Sequence, residues 1–283
     1  MSTNQDFEIK ADGLTLHGVR YAGGGKTPVI CLHGLTRNVR DFEDVGPYLA
    51  ATGRDAIALS MRGRGRSEYD PNYLNYHPLT YRTDVMAALD SLGIAQAVFL
   101  GTSLGGIITM LINETAPHRV KAAIINDVGP ELAIEGITRI AGYAGKTKMH
   151  VADLSEAATE IRAINEVAFP NRDDDFWLTF ARRTFRENAD GTWTLDYDAN
   201  IGRALVEAGP APDLWAPWES LKDTPTLLLR GALSDLLSPA IVEKMRLAHP
   251  HFDYMEVPQV GHAPTLSEPE SQASIEQFLA KIE

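Results

Sequence analysis

The sequence predicts an α/β fold, with a mostly parallel central sheet flanked by helices and a helical lid inserted between two strands. Short apolar runs typical of buried strands alternate along most of the chain with segments whose apolar residues recur at helical spacing. The stretch 131–213 lacks this alternation and shows only helical periodicity. We therefore expect a core formed by residues 1–130 and 214–283, and a lid formed by residues 131–213.

The first half of the chain begins with a predicted hairpin over 7–9 and 14–21, because Asp12-Gly13 is typical of tight turns. An apolar strand over 28–32 precedes a helix over about 39–52, which Gly53 ends. A short strand over 56–59 and a helix over 85–92, closed by Gly93, follow. Strand and helix thus alternate from the start.

The second half continues this order with strands predicted over 97–100, 120–126, 226–230 and 252–257. A helix follows Ser238-Pro239, since serine is a common N-cap and proline suits the first helical position. The last helix is expected after a capping box over 267–270, with one apolar face that ends at Ile282.

The strand over 97–100 leads directly into Gly101-Thr102-Ser103-Leu104-Gly105. This Gly-x-Ser-x-Gly pattern precedes apolar residues at the i, i+3, i+4, i+7 spacing of a helix that faces a core. A serine in a sharp strand-to-helix turn has an exposed hydroxyl near backbone N–H groups of the helix N-terminus. Ser103 is therefore the candidate nucleophile.

A serine nucleophile needs a base and a group that orients the base. His262 lies in a loop after the predicted strand over 252–257, and Asp235 lies in the loop after the strand over 226–230. We predict His262 as the base and Asp235 as the acid. Asp127, which ends the strand over 120–126, is the alternative acid.

Two backbone N–H groups are expected to stabilise the oxyanion. The strand over 28–32 ends in His33-Gly34-Leu35. Leu35 and Leu104, the residue after the nucleophile, are the predicted donors. His33 and Gly34 are predicted to line the substrate pocket.

Together these residues resemble the α/β-hydrolase superfamily over nearly the whole chain. The stretch 60–67 is similar to the Asp-x-Arg-Gly-x-Gly-x-Ser loop of that family, with Ser60 in place of the aspartate. Ser103 at the nucleophile position disfavours haloalkane dehalogenases and epoxide hydrolases, which use aspartate there. Ala263, where meta-cleavage C–C hydrolases usually have tryptophan, disfavours that class.

The predicted lid contains helices over 156–167 and 173–185 and is rich in aromatic residues. Phe176, Trp177, Phe180 and Trp193 either line an acyl or aryl pocket or form the core of the lid itself. Two arginine clusters have open roles. Arg62, Arg64 and Arg66 are interpreted as loop structure, with an arm that reaches an acidic substrate as the alternative. Arg182, Arg183 and Arg186 are interpreted as mostly solvated, with a clamp for a substrate carboxylate as the alternative.

Composition excludes several classes of function. The net charge of −12 disfavours nucleic acids and anionic membranes as partners. The N-terminus has no secretory signal pattern, no apolar run is long enough to span a membrane, and the single cysteine, Cys31, excludes an intrachain disulfide. We expect a cytoplasmic protein, either a monomer or a homodimer, with a small-molecule substrate.

The expected function is that of a serine hydrolase without cofactor or metal. It would cleave a carboxylic ester, lactone or thioester of a small to medium apolar substrate through an acyl-enzyme. The alternatives are hydrolysis of a C–C bond in a diketo acid, acyl transfer to another acceptor, and a ligand sensor that retains the triad.

Overall fold

A mixed β-sheet runs through the molecule, for which a computed structural model describes residues 4–209 and 213–282. Within these residues the sheet has seven strands. They are β1 (Asn4–Ala11), β2 (Leu14–Leu32), β3 (Arg54–Leu59), β4 (Ala97–Thr102), β5 (Val120–Asn126), β9 (Thr226–Gly231) and β10 (Asp253–Val257). The order is β1-β2-β4-β5-β9-β10, with β3 paired to β2.

The long strand β2 pairs antiparallel with one neighbour and parallel with two others. Its first part pairs antiparallel with β1, with Asn4 opposite Tyr21. Its last residues, 29–32, pair in parallel with both β3 and β4. The remaining neighbours, β4–β5, β5–β9 and β9–β10, are all parallel. A mostly parallel sheet is therefore confirmed.

Helices cover both faces of this sheet, as a fully apolar strand such as β4 requires. Phe99 points into one buried cluster, which α2 (Pro78–Ser91), α3 (Leu104–Thr115) and α9 (Pro239–Ala248) complete. Its neighbours Val98 and Leu100 point into a second cluster with α1 (Val45–Ala51) and α10 (Pro269–Leu279). The predicted α/β class is confirmed.

Two predicted helix starts are wrong, and proline explains both. The stretch predicted as one helix over 39–52 is a 3₁₀ turn, Val39–Phe42, followed by α1. Pro47 has no N–H to donate and is tolerated only in the first turn of a helix. Likewise α10 begins at Pro269 with Glu268 as its N-cap residue, so the capping box over 267–270 does not form.

The segment between β5 and β9 contains elements of both kinds. Its helices are α4 (Ile134–Tyr143), α5 (Leu154–Asn165), α6 (Asp174–Thr184), α7 (Asn200–Glu207) and α8 (Trp215–Glu219). Three short strands, β6 (His150–Val151), β7 (Phe185–Glu187) and β8 (Trp193–Leu195), form an antiparallel sheet that periodicity did not predict. Strands of two or three residues are too short to show an alternating pattern. We call this segment the insert.

Candidate active site

Ser103 lies in the sharp turn between β4 and α3. Its backbone has a φ of 52° and a ψ of −113°, a strained conformation for a residue with a side chain. The flanking glycines make the turn possible. A Cβ on Gly101 would lie 2.3 Å from the carbonyl carbon of Gly105, and a Cβ on Gly105 would lie 2.1 Å from the carbonyl oxygen of Leu32.

A chain of hydrogen bonds connects this serine to a buried carboxylate. The Ser103 Oγ lies 2.9 Å from the Nε2 of His262, and the Nδ1 of His262 lies 2.8 Å from the Oδ2 of Asp127. Because a carboxylate accepts at Nδ1, the imidazole proton belongs there and Nε2 is left to accept the serine proton. The predicted nucleophile and base are thus in hydrogen-bond contact.

Asp127 is fully buried and has a complete set of donors. Its Oδ1 accepts the backbone N–H of Gly231 at 2.8 Å, and its Oδ2 also accepts the hydroxyl of Ser234 at 2.7 Å. These bonds replace the water that a buried carboxylate loses. They also fix the orientation of the oxygen that faces His262.

The prediction of Asp235 as the group that contacts His262 is wrong, and the alternative, Asp127, occupies that place. Asp235 instead accepts two hydrogen bonds from Arg139 in α4, at 2.6 and 2.9 Å. Burial raises the pKa of Asp235, but the hydrogen bonds and charge of Arg139 outweigh burial and hold this pKa below its ordinary value. Asp235 therefore connects the insert to the core.

The predicted oxyanion donors, Leu35 and Leu104, belong to two different elements, the loop after β2 and the start of α3. Leu104 is the first residue of α3, so its N–H has no acceptor within the helix. Leu35 lines the same cavity as Ser103. Their role as oxyanion donors stays a prediction.

His33 has a different place from the one predicted, since its side chain is fully buried and does not line the cavity. Its Nε2 accepts the N–H of Met61 at 3.0 Å, and its Nδ1 donates to the carbonyl oxygen of Gly34 at 2.7 Å. Burial, with a contribution from the Arg64 charge, lowers the pKa of His33 to about 4. The neutral ring orients the peptide group whose N–H belongs to Leu35, while Gly34 itself lines the cavity as predicted.

The loop 60–67 is structural, as expected from its pattern. Arg62 is buried between the carboxylates of Asp84 and Asp70. Arg64 is equally buried, and its Nε donates to the carbonyl oxygen of Leu35 at 2.9 Å. Arg64 thus holds the loop that contains Leu35. Arg66 is exposed and pairs with Asp6.

The cavity over Ser103 has a volume of about 120 Å³ and lies between the core loops and helices α4, α5 and α6. Of the four aromatic residues proposed for its wall, only Phe180 lines it. Trp177 is 2% exposed, and Phe176 faces a separate surface groove. Trp193 lies in β8 and does not line the cavity either.

These aromatic residues mainly form a core within the insert. Phe169, Phe176, Trp177 and Phe180 pack together with ring centroids 5.1–6.5 Å apart. The alternative interpretation, a lid with its own core, therefore accounts for Phe176 and Trp177. The sequence could not distinguish residues of a pocket wall from residues of the insert's own core, since both faces of a small helix need large side chains.

The cavity wall combines apolar and polar side chains. Besides Ser103 and His262, it contains hydroxyl and amide side chains, namely Thr36, Thr102, Tyr143, Thr147, Asn165, Thr184, Tyr197 and Thr265. Its arginines are paired. Arg37 binds Asp41 through Nε at 3.0 Å, and Arg183 binds Asp44 at 2.9 Å.

The other members of the second arginine cluster lie outside the cavity. Arg182 and Arg186 are exposed, and Arg186 reaches Asp196 at 3.4 Å. Within residues 4–209 and 213–282, no group of three potential metal ligands comes together. The same residues contain no helix with the length and hydrophobicity needed to cross a membrane.

Comparisons with known proteins agree with this architecture. A family model described as alpha/beta hydrolase fold matches residues 27–269. The chain is 32% identical over 260 residues to 3-hydroxybutyrate-oligomer hydrolase of Cupriavidus necator, covering 88% of this chain and 87% of that protein. It is 24% identical over 242 residues to sn-1-specific diacylglycerol lipase ABHD11 of Danio rerio, covering 84% and 74%.

Among solved structures, an alpha/beta hydrolase from Novosphingobium aromaticivorans is 40% identical and superposes with a TM-score of 0.92, covering 100% of both chains. The family model covers most of the chain, and the fold agrees with it over the full length of the Novosphingobium structure. The protein therefore belongs to the α/β-hydrolase fold family and is a hydrolase of that superfamily.

Proposed function

We propose that the protein cleaves a short carboxylic ester through an acyl-enzyme, with Ser103 as nucleophile, His262 as base and Asp127 as the acid. The observation that carries this proposal is the hydrogen-bonded chain from Asp127 through His262 to Ser103, which opens on a cavity. Lactones and thioesters follow the same chemistry and belong to the same proposal.

In the first half of the reaction, the Ser103 oxygen attacks the ester carbonyl while the Nε2 of His262 takes the hydroxyl proton. The carbonyl oxygen becomes an oxyanion, which the N–H groups of Leu35 and Leu104 stabilise. His262 then gives the proton to the departing alcohol, and the acyl group stays on Ser103.

In the second half, water attacks the acyl group and gives its proton to His262. The second oxyanion collapses, the proton returns to the Ser103 oxygen and the carboxylic acid leaves. Asp127 stabilises the imidazolium in both halves. Its three donors keep it in place, so little reorganisation is needed when charge develops.

The size of the cavity supports a short acyl group. Its volume of about 120 Å³ is of the order of a protein cavity that accommodates one benzene ring, roughly 150 Å³. The relative from Cupriavidus necator is named for hydrolysis of 3-hydroxybutyrate oligomers, which supports ester cleavage at a short acyl unit.

The test is kcat/KM on p-nitrophenyl esters from two to sixteen acyl carbons, with a γ-lactone and a diketo acid for comparison. We expect a maximum near four to six carbons. A fluorophosphonate should add its mass to the peptide that contains Ser103. Ser103→Ala should lose labelling and on the order of 10⁴-fold in kcat, while Ser155→Ala, which changes an exposed serine, should keep both.

Two results would overturn the proposal. One is full labelling of Ser103→Ala, which would require another nucleophile. The other is rapid cleavage of the diketo acid without ester turnover, which would favour C–C hydrolysis.

A further inference from the structure

Asn126 is a fully buried polar residue that touches the segments of the nucleophile, the base and the acid. It is the last residue of β5 and directly precedes Asp127. It does not line the cavity over Ser103, so it does not contact a substrate there. A buried amide is costly unless its polar atoms are paired, and the partners of Asn126 therefore indicate why it lies here.

The side-chain NH₂ group of Asn126 joins two of these segments. It donates to the carbonyl oxygen of Pro264, just after His262, at 2.9 Å. It also donates to the Oγ1 of Thr102, the residue before Ser103, at 3.0 Å. A carbonyl oxygen only accepts, so the NH₂ group and not Oδ1 must face Pro264. The two bonds of the NH₂ group thus fix the amide, although Oδ1 is buried without a hydrogen-bond partner within residues 4–209 and 213–282.

The turn at Ser103 does not depend on this side chain, because the main chain of Asn126 already holds it. The backbone oxygen of Asn126 accepts the N–H of Ser103 at 2.9 Å. Thr102 also pairs with Asn126 in the parallel ladder of β4 and β5. Loss of the side chain leaves these backbone bonds in place. What it removes is the link between the turn and the loop that carries His262.

The loop that carries His262 is held from two sides. Before His262, the N–H of Gly261 donates to the carbonyl oxygen of Ala168 in the insert at 2.6 Å. After His262, the bond from Asn126 to Pro264 connects the loop to the central sheet. Because the nucleophile and the acid both follow strands of that sheet, the second bond sets the position of the base relative to both.

Small displacements of the base matter for the reaction. Proton transfer needs the Nε2 of His262 within hydrogen-bond reach of the Ser103 Oγ, which lies 2.9 Å away. A misplacement of about 1 Å in an active site lowers the rate about 10²-fold. Without the NH₂ group of Asn126, the buried carbonyl of Pro264 loses its donor, and the loop has to shift to find another.

We propose that Asn126 is a positioning residue, whose NH₂ group braces the loop of His262 against the turn of Ser103 and so sets the distance between base and nucleophile. This inference rests on the proposed function for the roles of His262 and Ser103. Asn126 acts through the position of His262 and has no contact with the substrate.

The test is Asn126→Leu, which keeps a similar shape and removes the donor. A fluorophosphonate reports the attack of Ser103 independently of the natural substrate. We expect the second-order rate constant of labelling, and kcat on p-nitrophenyl butyrate, to fall about 10²-fold, with KM within about threefold of wild type. Labelling should still reach one fluorophosphonate per protein, because a misplaced base slows the reaction of every molecule. A merely structural role would instead lower the labelled fraction and leave the rate constant of the remainder unchanged.

Asn113→Leu is the matched control. Asn113 lies in α3 and is buried like Asn126, and its NH₂ group also makes two hydrogen bonds, to the carbonyl oxygen and the Oγ of Ser220. It does not line the cavity either. The control should lower the Tm, because it removes buried hydrogen bonds, while the rate constant of labelling stays within about twofold of wild type.

Asn126→Ser is the second variant, in case Asn126→Leu does not fold. The serine hydroxyl lies one bond closer to the backbone than the amide nitrogen and does not reach Pro264, so labelling should again be complete and at least about tenfold slower. A wild-type rate constant, a lower labelled fraction with an unchanged rate constant, or an equal decrease in Asn113→Leu would overturn this inference while ester hydrolysis stands. No labelling of Ser103 in the wild-type protein would overturn the proposed function and the inference with it.

Discussion

Replacement of each of the two candidate acids by asparagine gives the sharpest test of the site. Asparagine keeps the shape of aspartate but offers an NH₂ group in place of one carboxylate oxygen. In Asp127→Asn, the amide oxygen can still accept the Gly231 N–H. The NH₂ group then faces His262, where Oδ2 now accepts at 2.8 Å.

The size of the effect follows from this geometry. An NH₂ donor at Nδ1 requires an unprotonated Nδ1 and moves the imidazole proton to Nε2, where it faces Ser103. In that tautomer His262 cannot accept the serine proton. We expect a loss of about 10⁴-fold in kcat, which corresponds to about 5.5 kcal/mol of activation free energy.

Asp235→Asn is the matched control. It weakens the ion pair with Arg139, in which the side chains are 25% and 17% exposed. Partly exposed pairs contribute about 1 kcal/mol or less after screening by solvent, and neither residue contacts His262. We expect kcat within about fivefold of wild type and a small decrease in Tm.

The assay is kcat and KM on p-nitrophenyl butyrate for the wild-type protein and both variants, with thermal unfolding to show that each is folded. KM should change little in Asp127→Asn, because the acid does not contact the substrate. A folded Asp235→Asn with a 10⁴-fold loss, beside an active Asp127→Asn, would refute the reasoning.

Two further predictions concern stability. The imidazole of His249 is fully buried against aromatic rings without a hydrogen-bond partner among the described residues, and burial lowers its pKa. The unfolded chain therefore takes up a proton first as pH falls below the ordinary imidazole value of about 6.5, and stability is lost there. The urea midpoint should fall less between pH 7.5 and 5 in His249→Leu than in wild type or in the exposed-site control His118→Leu. Parallel curves for His249→Leu and wild type would contradict this prediction. Gly105→Ala should lose at least about 3 kcal/mol of unfolding free energy, because its Cβ would meet the Leu32 carbonyl. The control Gly142→Ala has open space around its Cβ and should be neutral or stabilising. Equal Tm values for the two variants would disprove the steric argument.

The sequence by itself predicted the α/β class, the turn at Ser103 and the loop position of His262. Each depends on a local pattern. A buried strand is a short apolar run, and a helix that faces a core repeats its apolar residues every three or four positions. The turn at Ser103 needs small residues on both sides, and the glycines at 101 and 105 are visible in the sequence.

Tertiary structure decided which carboxylate meets His262. Asp127 and Asp235 both follow parallel strands, β5 and β9, so periodicity treats them alike. The choice depends on the φ of 57° at Asp127 and on Arg139, which comes from the insert 96 residues earlier in the chain than Asp235. Neither the turn of that backbone nor a partner so distant in sequence has a local signature.

The cavity wall also depended on tertiary structure. The aromatic composition of the insert is visible in the sequence, but packing turned Trp177 inward and left Phe180 beside Ser103. Tyr197 reached the wall because a β-bridge to Arg64 fixes its backbone. A side chain's neighbours depend on how helices and loops pack, whereas its own helix or strand depends mainly on the residues next to it, and for this reason the elements were predictable and the pocket was not.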